Sequence, residues 1–123
     1  MPGLDREAPT IFVLEGLIHY LSAERFAALL DELAVLAPRR RVVLSFIRSE
    51  MYAAADSLFI RLVQALREVP RLHFETAALH DALARSGLRG VESWTGEAQV
   101  ERFAPEARGR PLRLSQDVAH GGT

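Results

Sequence analysis

The chain contains neither cysteine nor lysine. Without thiols it can form no disulfide, thiolate nucleophile or cysteine metal site. Without lysine it has no side-chain amine for Schiff-base chemistry, and all 15 basic residues are arginine. An excess of one charge is missing too: 16 acidic residues against those 15 leave a formal net charge of −1. No strong field therefore favours nucleic acid or an anionic membrane surface. No apolar run approaches the ~20 residues of a membrane span. The opening Met1-Pro2-Gly3-Leu4-Asp5-Arg6-Glu7 is polar and of mixed charge, without the apolar core of a signal peptide. A soluble, cytoplasmic protein is the expectation. There is also no strand followed by a Gly-rich phosphate turn, no HExxH and no nucleophile elbow; Gly87, Gly90 and Gly96 are too spread and follow a helix.

What is present fits one domain over residues 1–123. Apolar residues make up 49% and charged residues 25%, near the globular average. Thr10-Ile-Phe-Val-Leu14 is a short apolar run of strand formers, suited to a strand buried on both faces of a parallel sheet. Ser22 is a helix N-cap with Glu24 in the first turn. Phe26, Leu29, Leu30, Leu33 and Leu36 then recur with the spacing of one buried helix face, over about residues 22–37. Pro38 stops that helix, and Arg41–Phe46 reads as a second apolar strand. Strand, one-sided helix, strand is a βαβ unit, so the two strands are expected to be adjacent and parallel.

Further along, the pattern predicts a helix near 52–68 with Leu58, Leu62, Val63 and Leu66 inward. A shorter helix capped by Thr76 follows, with Leu79, Ala82, Leu83 and Ser86 on one side and Gly87 as a left-handed C-cap. Leu88–Trp94 reads as a strand, 97–104 as a short helix, and Leu112, Leu114 and Val118 as a last amphipathic strand. The tail 119–123 is expected to fray.

Glu15 stands at the carboxyl end of the first strand, the edge beyond which open α/β sheets bind ligands. Its carboxylate can accept hydrogen bonds from an amine there; a solvated strand end is the plainer role. Gly16 permits close backbone approach, or simply a turn. His19 and Tyr20 follow in the same loop. His19 has no Ser or Asp partner spaced for a triad, which argues against catalysis by it, and the plainer role for Tyr20 is core packing. Arg39-Arg40-Arg41 lies at the amino edge of the sheet and reads as a solvated turn. His73, His80 and His120 lack ligand spacing, so no metal site is expected. No catalytic residue is singled out. Trp94, the sole tryptophan, reads as packing.

The stretch Thr10-Ile-Phe-Val-Leu-Glu15-Gly16-Leu-Ile-His-Tyr20-Leu21-Ser, the Leu-rich helix, and Val42-Val-Leu-Ser-Phe46 together resemble the leucine carboxyl methyltransferase family, nearest its bacterial small-molecule and polyketide O-methyltransferase branch. The later segments Leu79…Leu83…Ser86-Gly87-Leu88 and Gly109-Arg-Pro-Leu-Arg-Leu-Ser115 extend the resemblance over roughly residues 9–118. It implies a partial Rossmann-like α/β sheet, the C-terminal half of a class I methyltransferase that uses S-adenosylmethionine (SAM), with a parallel βαβ start and antiparallel C-terminal strands. By carry-over Glu15 and Gly16 face the methionine moiety of SAM, and Tyr20 and His19 line the pocket of a small-molecule acceptor. His19 stands where the family usually has an apolar residue.

The family's Gly-rich SAM turn and ribose-binding acid have no counterpart here, so weak SAM binding by the chain alone is expected. A fragment, a split subunit and a degenerate remnant all fit the resemblance. Two functions follow. One is a piece of an O-methyltransferase. The other is a non-catalytic module that associates through the strand edge at Thr10–Leu14, either with a second copy or with the missing half in trans.

Overall fold

The computed structural model describes Gly3 and residues 5–48, 75–107 and 117–123. The expected helix near 52–68 and the strand positions Leu112 and Leu114 lie outside these residues. Strand β1 (Thr10–Leu14) leads through a 3-10 turn at Ile18–Tyr20 to helix α1 (Ala23–Leu36) and strand β2 (Arg40–Phe46). Helix α2 (Thr76–Arg85), strand β3 (Arg89–Trp94), helix α3 (Gly96–Phe103) and strand β4 (Asp117–Gly122) follow. The four strands form one sheet in the order β1-β2-β4-β3.

The βαβ expectation holds. β1 and β2 are parallel neighbours, from Thr10 beside Arg40 to Leu14 beside Leu44. The Ser22 hydroxyl caps α1 by accepting the Arg25 N–H, which satisfies one of the donors that the first helical turn leaves without an internal partner. Phe26, Leu30 and Leu33 are the buried face of α1, with Leu29 and Leu36 packed at its border. They meet Val42, Leu44 and Phe46, alternate residues of β2 and therefore on one face of the sheet. Leu79 and Leu83 of α2, Leu88 and Ala119 complete the same core.

Helix α2 is capped differently from expectation. Thr76 is its first residue rather than its cap; Glu75 holds the cap position and makes no side-chain bond there. The C-terminus is as expected. Gly87 has φ 91°, its N–H reaches the Ala84 carbonyl and the Leu88 N–H reaches that of Leu83. This pair of bonds is the Schellman arrangement, and the buried Leu83 and Leu88 supply the apolar contact that accompanies it.

Three further expectations are overturned. β1 is not buried on both faces: Ile11 and Val13 are 65% and 67% exposed. The tail does not fray: Asp117–Gly122 forms β4, inserted between β2 and β3 and antiparallel to both. Thr123 then ties the chain to the start of β2, its N–H donating to the Arg40 carbonyl and its hydroxyl accepting the Arg40 N–H, each at 2.9 Å. Nor is Arg40 part of a solvated turn. It begins β2 and is 7% exposed, and its guanidinium donates to the Ser86 carbonyl at 2.6 Å, satisfying the end of α2. Arg39 and Arg41 do face solvent. Among the described residues no helix is long and apolar enough to cross a membrane.

The glycines of β4 explain why so polar a tail can sit mid-sheet. A Cβ on Gly121 would lie 3.0 Å from Val91 Cγ2 and 3.2 Å from Leu88 Cβ, closer than packed carbons normally approach. Replacing Gly121 by Val is expected to destabilise the fold by about 1–3 kcal/mol through overpacking. Urea denaturation checks this; an unchanged midpoint would show that β3 yields freely at this point.

Candidate functional site

The carboxyl ends of β1 and β2 lie side by side, and the segments leaving them are fastened by side chains. Gly16, with φ 64°, turns the chain immediately after β1, and its N–H donates to the Ser45 hydroxyl on β2 at 3.0 Å. A Cβ at Gly16 would meet nothing within 4 Å, so the turn borders open space and glycine is favoured there by backbone conformation. Glu15 is exposed beside it.

The 3-10 turn that follows drives Ile18 and His19 inward, 0% and 5% exposed. His19 Nε2 accepts the N–H of Ile47, just past β2, at 2.8 Å. That role places the ring proton on Nδ1. His19 thus joins the loop after β1 to the end of β2, while Tyr20, 54% exposed, projects at the surface rather than packing into the core. The structure brings Glu15, Gly16 and Tyr20 to one exposed edge and sets His19 beneath them.

Three residues that the sequence pattern does not single out also shape this edge. Ser45 is a hydroxyl inside an otherwise apolar strand, and that interruption was its signal. Asp117 and Arg48 had none, because they meet only in three dimensions. Asp117, 1% exposed, receives the Gly96 N–H at the start of α3 through Oδ1 at 3.0 Å. Its Oδ2 lies 2.6 Å from Arg48 Nε. Arg48 also approaches Glu97 at 3.4 Å. The carboxylate thereby anchors both the helix start and the segment leaving β2.

The remaining histidines within the described residues are engaged with other side chains. His80 Nε2 lies 3.0 Å from the Ser93 hydroxyl, and His120 lies between Arg41, with Nδ1 3.2 Å from Nη1, and Glu92, with Nε2 3.7 Å from Oε2. Among the described residues no three His, Asp or Glu side chains gather as a metal site would require. Trp94 packs against Phe103, ring centres 6.4 Å apart.

Solved structures share this architecture. Over 98% of its length the chain is similar to a DUF574 family protein from Streptomyces avermitilis, with TM-score 0.67, 16% identity and 46% of that chain covered. Over 98% it is likewise similar to magnesium protoporphyrin IX methyltransferase from Synechocystis PCC 6803 with bound SAH, with TM-score 0.53, 15% identity and 47% of that chain covered. A SAM-dependent methyltransferase from Archaeoglobus fulgidus matches 98% of the chain at TM-score 0.59 and 15% identity, with 61% of that protein covered. The chain has a methyltransferase fold. It spans about half the length of the first two structures. No family model and no curated protein matches it.

Two substitutions test the fastenings. His19→Phe keeps the ring volume but leaves the Ile47 N–H without its acceptor, and is expected to cost about 1–3 kcal/mol. Faster hydrogen exchange at the Ile47 amide would accompany the loss. Asp117→Ala leaves Arg48 without its buried partner and is expected to cost about 3–5 kcal/mol in denaturant unfolding; a loss below ~1 kcal/mol would show that Glu97 and solvent replace the carboxylate.

Proposed function

We propose that this chain is part of a SAM-dependent methyltransferase that transfers the methyl group to an oxygen of a small molecule or carboxylate. The observation that carries the reading is the exposed Glu15-Gly16 turn at the carboxyl end of β1, within a sheet whose fold is shared with methyltransferases over nearly the whole chain. Ligands of open α/β sheets bind beyond this edge.

The residues present fit one end of the cofactor. Glu15 carries an exposed carboxylate, the group that accepts hydrogen bonds from the ammonium of an amino-acid moiety. The open space at Gly16 lets a ligand approach the backbone. When bound, SAM supplies an electrophilic methyl group on a sulfonium sulfur. What remains for the protein is placement, since holding two reactants in line removes much of an entropic barrier. Glu15 orients the amino-acid end. Tyr20 offers an exposed phenol whose hydroxyl can hydrogen-bond the acceptor oxygen. His19 acts beneath, holding the loop that carries Tyr20 to the end of β2 through Ile47. No covalent nucleophile is needed, in keeping with a chain that has neither cysteine nor lysine.

The sequence holds no Gly-rich nucleotide turn, so the chain alone is expected to bind SAH more weakly than micromolar. The test is an NMR titration of the 123-residue chain with SAH, followed by backbone amides. Shifts centred on Glu15, Gly16 and Tyr20, weakened at least tenfold in apparent affinity by Glu15→Gln, support the proposal. Shifts centred on Arg39–Arg41 at the opposite edge, or an affinity indifferent to Glu15→Gln, would overturn it.

A further inference from the structure

The hydrogen bonding between β1 and β2 continues one rung past the end of β1. The Thr10 N–H donates to the Arg39 carbonyl at 2.9 Å, and the parallel pairing runs unbroken from there to Leu14 beside Leu44. Alternate residues of a strand turn their backbone groups toward the same neighbour. Thr10, Phe12 and Leu14 therefore face β2, and Gly16 is next in line. Its N–H does reach β2, at Ser45. Gly16 and Ser45 are 29 residues apart, the same separation as Thr10 and Arg39. The acceptor at this last rung is the Ser45 hydroxyl, at 3.0 Å, in place of a backbone carbonyl. The turn explains the exchange. At φ 64° Gly16 has left the extended conformation of a strand, and a side chain can follow the N–H where the row of carbonyls cannot.

That bond acts on Glu15. The atoms from Glu15 Cα to Gly16 Cα share one rigid peptide plane. Glu15 thus stands between two attachments to β2, Leu14 within the ladder and Gly16 on the hydroxyl. Packing does little to hold the turn, since a Cβ on Gly16 would meet no atom within 4 Å, and glycine has a wide range of backbone conformations open to it. The hydroxyl is what confines it, and its support is firm. β2 lies inside the sheet between β1 and β4, and Ser45 pairs with Val118 of β4.

From this geometry we infer that Ser45 is a positioning residue for the proposed methyl transfer: resting on the reading of Glu15 as the acceptor for the cofactor's ammonium group, the Ser45 hydroxyl holds the Glu15–Gly16 peptide and so aims that carboxylate. Ser45 acts through Glu15 and not on the ligand. The contact is made within this chain, so it stands whatever further segment completes the sheet. Because the bond lies at an exposed edge, water satisfies the Gly16 N–H when the hydroxyl is removed. Stability then changes little, but a mobile water does not orient the peptide, and the binding group loses its preorganisation.

Threonine and valine at position 45 have the same shape, both suit a strand, and differ by the hydroxyl alone. The experiment titrates SAH into the 123-residue chain carrying Ser45→Thr or Ser45→Val, followed by backbone amide shifts. Ser45→Val is expected to bind about three- to tenfold more weakly than Ser45→Thr, the range that one net hydrogen bond carries, while the two unfold at closely similar urea concentrations. The Gly16 amide is expected to exchange faster with solvent in Ser45→Val. The same pair is then compared in a chain carrying Glu15→Ala. There the difference in SAH affinity is expected to vanish, because a residue that acts through Glu15 has nothing left to aim. Equal affinities of the two variants, or a difference that persists in full with Glu15→Ala, would overturn the role of Ser45 and leave that of Glu15 standing. An affinity unchanged by Glu15→Ala alone, or no shift at saturating SAH, would overturn the reading of Glu15 and the role of Ser45 with it.

Discussion

The sheet depends on the insertion of its last strand. β4 holds β2 and β3 together, and β2 and β3 have no other strand between them. That position demands close approach, and Gly121 supplies it, since a side chain there would run into Val91 and Leu88. The adjoining Gly122 lies beside the Arg41 guanidinium, a flexible side chain that can yield where Val91 and Leu88 cannot. Thr123 completes the insertion by bonding both backbone groups of Arg40, the residue whose guanidinium in turn closes α2 at Ser86. One short segment thus links the start of β2, the end of α2 and the length of β3.

This dependence explains which elements could be read from the sequence. β1, α1 and β2 announce themselves because their own side chains fill the core: Val42, Leu44 and Phe46 alternate, and Phe26, Leu30 and Leu33 recur at helical spacing. Their stabilising burial is encoded residue by residue. β4 is encoded by what it lacks. Asp-Val-Ala-His-Gly-Gly has one β-branched residue and two glycines, the composition of a loose terminus, and only the neighbours packed on it turn small size into an advantage. Leu112 and Leu114, which lie outside the described residues, drew attention away from the polar residues of β4. Arg40 misled in a related way. Three consecutive arginines look like a solvated turn, yet the middle one meets a helix end whose carbonyl needs a donor.

The candidate site divides along the same line. Glu15 and Gly16 were visible because an apolar strand that stops at Glu-Gly marks the end of a strand by itself. The position of His19 was legible and its role was not. Its place in the loop suggested a pocket wall, whereas the structure gives it a buried contact to Ile47. The resemblance to a family with an apolar residue at that position agrees with burial, while the hydrogen bond explains how an imidazole is tolerated there. Asp117 and Arg48, separated by a long stretch of sequence, carried no local sign of their pairing.

The fastenings at the carboxyl edge share a design. Ser45 takes the Gly16 N–H, His19 takes that of Ile47 and Asp117 takes that of Gly96. Each is a side chain that satisfies a backbone donor in a segment leaving a strand or entering a helix, and each fixes that segment relative to the sheet. Polar groups bound in this way are withdrawn from chemistry, because losing the bond would expose a backbone donor to the low-dielectric interior. Glu15 and Tyr20 remain exposed on the fixed frame, one an acceptor and the other able both to donate and to accept. An edge of that kind suits a reaction whose demand is orientation, in which the electrophile arrives with its cofactor and the nucleophile with its substrate.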